Sequence, residues 1–164
     1  MIPLHISLKG KKIVIAGGGT IACRKLNALL HEKAEITIVS PKVHEKMEKL
    51  ISEHSLEWKQ KEIEKSDLAS AFLIIAATNQ PHINQWIGES ASENQLVNVA
   101  SNADYGNIYL PKTIKKGKIL ISVSTSGASP ADTKKIAGAI EDLISEELIE
   151  AIEIKHKARR SLEP

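Results

Sequence analysis

A glycine-rich segment between an apolar run and an amphipathic segment has the residue types and spacing of a phosphate-binding turn. Residues 17–22 read GGGTIA, which matches the pattern G-x-G-x-x-A. The preceding run is typical of a strand and the following one of a helix, which is the context that the pattern requires. Gly17 can make the tight turn, Gly19 lets the backbone approach a pyrophosphate, and Ala22 lets the helix pack near the strand.

The start of the predicted helix adds a second reason to expect a phosphate. A helix N-terminus offers free N–H groups and the positive end of a dipole. This interpretation assigns a dinucleotide to Gly17, Gly19, Thr20 and Ile21. The alternative is a plain glycine turn in an α/β domain that binds no nucleotide.

The end of the second predicted strand departs from the usual dinucleotide pattern. An Asp or Glu normally stands there and binds the ribose hydroxyls, whereas this chain has Ser40, Pro41 and Lys42. Ser40 can hydrogen-bond a ribose, and Lys42 can favour a 2′-phosphate or simply be a solvated surface lysine. These three residues are predicted to contact the cofactor, and the pattern does not choose between NAD and NADP.

Other polar residues follow later strands. Thr78 comes after two small alanines at the end of the fourth strand, so it is predicted to contact the cofactor or to cap the next helix. Asp104 is the carboxylate in the stretch after the fifth strand and could accept a proton, although a loop Asp is more often a turn former. Residues 122–130 are rich in hydroxyls and could bind carboxylates or phosphate, or could be a strand end and a capped helix.

Composition narrows the functional classes. The 164 residues are 42% hydrophobic and 26% charged with a net charge of +2, as in an ordinary soluble globular protein. Aromatic residues are 3% of the chain, which argues against a nucleic-acid binder that stacks bases on rings. The single cysteine, Cys23, excludes an internal disulfide, and the scattered histidines suggest no metal site. We see no secretory signal or membrane span and expect a cytoplasmic protein.

The alternation of predicted strands and helices indicates the fold. Strands are predicted at 12–16, 36–39, 56–63, 72–77 and 96–100, with helices between them, which implies a parallel sheet covered on both faces. We assign residues 1–111 to this Rossmann-type α/β domain. A strand at 119–125 and a helix at 131–144 follow, within a small α+β region at 112–145 that is expected to pack against another subunit. Residues 146–164 begin a C-terminal helical region.

Five motifs in register resemble a known family. The segments are Pro3-Leu4, residues 17–25 (GGGTIACRK), 74–78 (IIAAT), 96–100 (LVNVA) and 124–130 (STSGASP). Together they resemble the precorrin-2 dehydrogenases of siroheme biosynthesis, over almost the whole chain to about residue 145. The short, stand-alone dehydrogenases are the more similar type.

The resemblance implies an activity and its partners. It implies NAD-dependent oxidation of precorrin-2 to sirohydrochlorin by a homodimer whose small domain joins the subunits. Members that also insert iron carry an Asp after the Asn-Val-Ala segment, where this chain has Ser101, so ferrochelatase activity is doubtful and a separate chelatase is expected. We carry the acid's role to Asp104 and place the tetrapyrrole near Asp104 and Ser124 as catalytic residues. The rival hypotheses are a nucleotide-sensing regulatory domain and a bifunctional dehydrogenase and ferrochelatase.

Overall fold

Five short segments rich in β-branched residues form a parallel sheet in the computed structural model, which describes residues 2–161. The strands are β1 (Lys12–Ala16), β2 (Glu35–Val39), β3 (Glu57–Lys59), β4 (Leu73–Ala76) and β5 (Leu96–Val99). Their order is β3-β2-β1-β4-β5, and every neighbouring pair is parallel. The central strand β4 is buried along its whole length, as its continuous apolar sequence predicts.

Helices cover both faces of the sheet. They are α1 (Thr20–Leu29), α2 (Glu45–Glu53), α3 (Lys65–Leu68) and α4 (Pro81–Ser90). Alternate residues of β1 point to opposite faces, so Ile15 packs with Leu26 of α1 and Val14 packs with Ile87 of α4. The predicted Rossmann-type α/β sheet is therefore confirmed, and the chain divides into two compact units between residues 108 and 109.

Two local predictions in this first unit differ from the structure. The predicted strand at 56–63 ends at Lys59, because the chain turns there and the Lys61 N–H donates to the Lys59 carbonyl at 2.9 Å. Thr78 was considered as a cap for α4, but Gln80 is the N-cap residue and it makes no side-chain cap bond. The buried amide of Asn84 instead binds the segment before the helix.

The second unit contains a hairpin and two helices. The antiparallel strands β6 (Lys112–Lys116) and β7 (Ile119–Val123) are followed by α5 (Pro130–Asp142) and α6 (Glu146–Arg160). Ile114, Val123, Ala137 and Ile144 form a small core. The sequence did not predict β6, because Ile114 is the one apolar residue among KTIKK. Residues 162–164 of the expected C-terminal helical region lie outside the described residues.

Candidate dinucleotide and substrate site

Two glycines of the turn are required by the packing of the protein itself. Gly17 has φ +111°, and a Cβ on it would lie 2.3 Å from the Ala77 carbonyl oxygen. A Cβ on Gly18 would lie 2.2 Å from the carbonyl oxygen of Lys42. Both distances are too short for a real side chain, so the turn lies directly against the segments that follow β4 and β2.

Gly19 differs, because nothing in the part of the chain that the structure describes would meet its Cβ within 4 Å. It is the N-cap residue of α1, and the first turn of α1 carries neither a side-chain cap nor an acidic residue among the described residues. Free N–H groups beside open space fit a pyrophosphate, which needs close backbone approach and a helix N-terminus. The residues present therefore fit the diphosphate of a dinucleotide.

A cavity of about 610 Å³ extends from this turn across the carboxyl ends of β2 and β4. In an open parallel sheet, ligands bind in the crevice beyond these strand ends. All eight residues predicted to contact the cofactor line the cavity. They are Gly17, Gly19, Thr20, Ile21, Ser40, Pro41, Lys42 and Thr78.

The segment after β2 is held by Ser40. The Ser40 hydroxyl donates to the Lys42 carbonyl at 2.7 Å, and the indole N–H of Trp58 donates to the Ser40 carbonyl at 2.9 Å. Ser40 is buried, whereas Pro41 and Lys42 are exposed at the cavity. The Ser40 hydroxyl hydrogen is thus used within the protein, which leaves its oxygen able to accept a hydrogen bond.

A buried amide links the ends of β4 and β5. The Asn84 side-chain oxygen lies 2.9 Å from the Thr78 N–H and 2.8 Å from the Thr78 hydroxyl. Its amide nitrogen donates to the Thr78 carbonyl at 3.1 Å and to the Ser101 hydroxyl at 3.3 Å. Asn84 is 1% exposed. Its role was not predicted, although an Asn between Ile83 and Ile87 on an apolar helix face could have indicated a buried polar contact.

Asp104 lies on a single 3-10 turn, Ala103–Tyr105, that follows β5. Its N–H donates to the side chain of Asn102 at 2.9 Å, and its exposed carboxylate has no hydrogen-bond or ion-pair partner among the described residues. The Asn107 side chain, just beyond the turn, accepts from the Val97 N–H and donates to the Gln95 carbonyl, both at 2.7 Å. The loop that carries Asp104 is therefore fixed along β5.

A lysine of α1 also contacts β5. The Lys25 ammonium donates to the Asn98 side chain at 2.5 Å, and the Asn98 amide donates to the Ile108 carbonyl at 3.0 Å. Burial, with a smaller contribution from the charge of Arg24, lowers the pKa of Lys25. These contacts secure the end of the Asp104 loop against α1.

Ser124 belongs to the second unit, immediately after β7. Its hydroxyl accepts from the Ser126 N–H at 3.1 Å. Thr125 lies 2.8 Å from the Thr133 hydroxyl, oxygen to oxygen, and Ser129 accepts from the Asp132 N–H as the N-cap of α5. The expected turn and capped helix are both present. Ser124 is exposed, and its proposed contact with substrate stays a prediction.

Two findings concern sites of other kinds. Within residues 2–161, no group of three or more His, Cys, Asp or Glu side chains could hold a metal ion. Among the same residues, no helix has both the length and the apolar character needed to cross a membrane.

Comparison with known proteins gives consistent matches. Residues 4–112 match a family model described as "Putative NAD(P)-binding". The chain is 46% identical to precorrin-2 dehydrogenase of Bacillus subtilis (strain 168) over 160 residues, which are 98% of this chain and 99% of that protein. It is 37% identical to precorrin-2 dehydrogenase of Priestia megaterium, over 88% of this chain and 70% of that protein. The solved structure of SirC, precorrin-2 dehydrogenase, matches with a TM-score of 0.82 and 33% identity, over 97% of this chain and 79% of that chain.

Proposed function

This chain belongs to the precorrin-2 dehydrogenase family, and from that premise we propose that it oxidises precorrin-2 to sirohydrochlorin with NAD as the hydride acceptor. The observation that carries the proposal is the open space beside Gly19, because the protein's own packing gives no reason for a glycine there. The chain also aligns with a precorrin-2 dehydrogenase over 99% of that protein's length.

The dinucleotide would be held by one rigid group of residues. The Gly17–Ile21 turn would bind the diphosphate through backbone N–H groups, and the segment 40–42 would contact the adenosine ribose. The end of β4 at Thr78 would border the nicotinamide part. NAD, when bound, supplies a two-electron acceptor for a hydride.

The substrate loses one hydride and one proton in this reaction. The hydride passes to the nicotinamide, and the proton passes to a base or to solvent, so that the macrocycle gains conjugation and the charges balance. Asp104 is our candidate to orient the macrocycle or to take the proton, because its exposed carboxylate is free among the described residues and its loop is fixed along β5. Ser124 is proposed to bind the substrate's carboxylates.

The direct experiment is anaerobic turnover of precorrin-2 with NAD by the purified full-length protein. We expect NADH and the sirohydrochlorin chromophore to appear in equal amounts. Binding of NAD by calorimetry without NADH formation would contradict the enzyme assignment and would favour the nucleotide-sensing alternative. Formation of a metallated product from sirohydrochlorin and ferrous or cobaltous ion would contradict our expectation that a separate chelatase inserts the metal.

A homodimer in the cytoplasm is part of the same proposal. Several apolar side chains of the second unit are exposed in the single chain, and Leu143 is 80% exposed. A partner subunit would remove this surface from water. Sedimentation of the wild type and of Leu143→Glu tests the point, because we expect a dimer for the first and a weakened dimer for the second. A monomeric wild type at micromolar concentration would contradict it.

A further inference from the structure

The cavity lacks the acid that normally stands at the end of the second strand, and Ser40 is a poor replacement. A ribose of NAD presents two hydroxyl donors, which a carboxylate accepts better than a neutral oxygen does. The Ser40 hydroxyl is already committed to the Lys42 carbonyl at 2.7 Å. The Ser40 oxygen can still accept a hydrogen bond, but it is neutral and therefore a weaker acceptor than a carboxylate. Glu62 is the one carboxylate among the described residues that line the cavity.

Glu62 reaches the cavity because β3 ends beside β2. The Ser40 N–H donates to the Lys59 carbonyl at 3.2 Å, and the turn after Lys59 carries the chain to the cavity. The exposed carboxylate of Glu62 has no hydrogen-bond or ion-pair partner in the described part of the chain. An unpaired carboxylate beside the segment that replaces the usual acid is available to a ligand.

The buried carboxylate of Asp67 holds this segment through ion pairs with two partly exposed lysines. The Asp67 carboxylate accepts from Lys59 at 3.1 Å, from Lys61 at 2.9 Å and from the Glu64 N–H at 3.0 Å. Burial acts to raise the pKa of Asp67, but these hydrogen bonds outweigh it and hold the pKa below its usual value. Lys59 and Lys61 are thus paired with Asp67, and neither one neutralises Glu62.

We propose that Glu62 replaces the missing acid of β2, accepting hydrogen bonds from the adenosine ribose hydroxyls of NAD and repelling the 2′-phosphate of NADP. The inference rests on the proposed function, since it assigns a residue to the same cofactor. Lys42 lines the same cavity and carries the opposite charge. The preference between the two dinucleotides is therefore set by the balance between Glu62 and Lys42.

The test is isothermal titration calorimetry of NAD, NADP and 2′-deoxy-NAD with the full-length protein. For Glu62→Gln we expect about tenfold weaker NAD binding and tighter NADP binding, because a charged acceptor and a repulsive charge are both lost. Lys42→Gln should have the opposite effect on NADP: we expect weaker NADP binding and nearly unchanged NAD binding. Glu93→Gln is the matched control: it removes an exposed carboxylate before β5, at the opposite edge of the sheet, and should leave all three constants unchanged.

The 2′-deoxy ligand shows whether Glu62 contacts the ribose itself. The wild type should lose affinity when the 2′-hydroxyl is removed, and Glu62→Gln should lose much less. Equal losses in both proteins, or equal changes of NAD and NADP affinity in Glu62→Gln, would overturn the inference while the dehydrogenase assignment stood. A wild type that bound no dinucleotide would overturn both.

Discussion

Replacing Gly18 and Gly19 separately by alanine should distinguish a glycine needed for packing from one needed for a ligand. A Cβ on Gly18 would lie 2.2 Å from the Lys42 carbonyl oxygen and 2.8 Å from the Val43 Cα. These are backbone atoms, so the 42–43 segment must move. Overpacking of this kind costs about 1–3 kcal/mol, which for a chain of this size lowers Tm by about 6 °C at the middle of that range.

Gly19→Ala should behave differently. Its Cβ would enter open space, and its extended backbone (φ −80°, ψ −174°) suits alanine. The loss of a favourable N-cap glycine costs about 0.5–1 kcal/mol, and the smaller entropy of the unfolded chain offsets most of it. We therefore expect a change in unfolding free energy below about 0.5 kcal/mol. The added methyl group would enter the space that we propose for the pyrophosphate, so NAD affinity should fall at least tenfold, or about 1.4 kcal/mol.

Thermal unfolding and calorimetric NAD titration of both variants provide the two measurements. The wild type and Glu93→Gln, with its exposed surface change, serve as controls. The reasoning would be refuted if Gly19→Ala bound NAD as the wild type does, because the open space would then not be the diphosphate site. A large loss of stability in Gly19→Ala would refute it equally.

Three further substitutions test the substrate loop and the supports of the cavity. Asp104→Ala should lower kcat at least a hundredfold with unchanged NAD affinity, if Asp104 transfers the proton. Asp67→Asn should lower unfolding free energy by about 1–2 kcal/mol at neutral pH. Because folded Asp67 has a lowered pKa, this stabilisation is fully present above its ordinary value of 3.8 and is lost as pH falls through the folded value. Asn84→Leu should cost about 2 kcal/mol, since it leaves the Thr78 N–H unpaired.

Each of these substitutions has a result that would contradict the expectation. For Asp104→Ala, unchanged turnover would remove Asp104 from the mechanism. For Asp67→Asn, denaturant unfolding from pH 7 to pH 3 should show the stability difference shrinking, and a constant difference would contradict the ion-pair account. For Asn84→Leu, the control is Glu89→Gln on the exposed face of the same helix, and equal stability of the two variants would show that the buried amide contributes nothing.

The sequence predicted those parts of the fold whose signal is local. The interior strands β1 and β4 are continuous apolar runs followed by glycine or alanine, so the sequence alone predicted that they lie inside a parallel sheet. At the edges the signal was weaker, because β3 and β6 contain mostly charged or half-exposed residues. The strand predicted at 56–63 was longer than β3, and β6 was not predicted. In such strands the pairing partner, rather than the sequence pattern, decides where the strand begins and ends.

The residues of the candidate site likewise fall into those that a local sequence pattern marks and those that only the fold brings together. The glycine turn has a fixed spacing, so its residues could be named as candidates from the sequence alone. The folded chain brings Asn84 beside Ser101, which is 17 residues away, and brings Glu62 to the cavity that the glycine turn lines. No local pattern marks such pairs. The roles of Asp104 and Ser124 came from the family resemblance and stay predictions.

The loop after β5 has a consequence for solubility as well as for catalysis. Since β5 is an outer strand, its unpaired backbone groups could pair with a strand from another molecule. Here the Asn107 side chain and backbone occupy the Val97 N–H, the Val97 carbonyl and the Gln95 carbonyl. The segment that positions Asp104 therefore also covers part of this edge and hinders the addition of another strand there. A substitution of Asn107 would leave backbone groups of β5 unpaired and would also displace the candidate acid Asp104. Aggregation and loss of activity would therefore occur together.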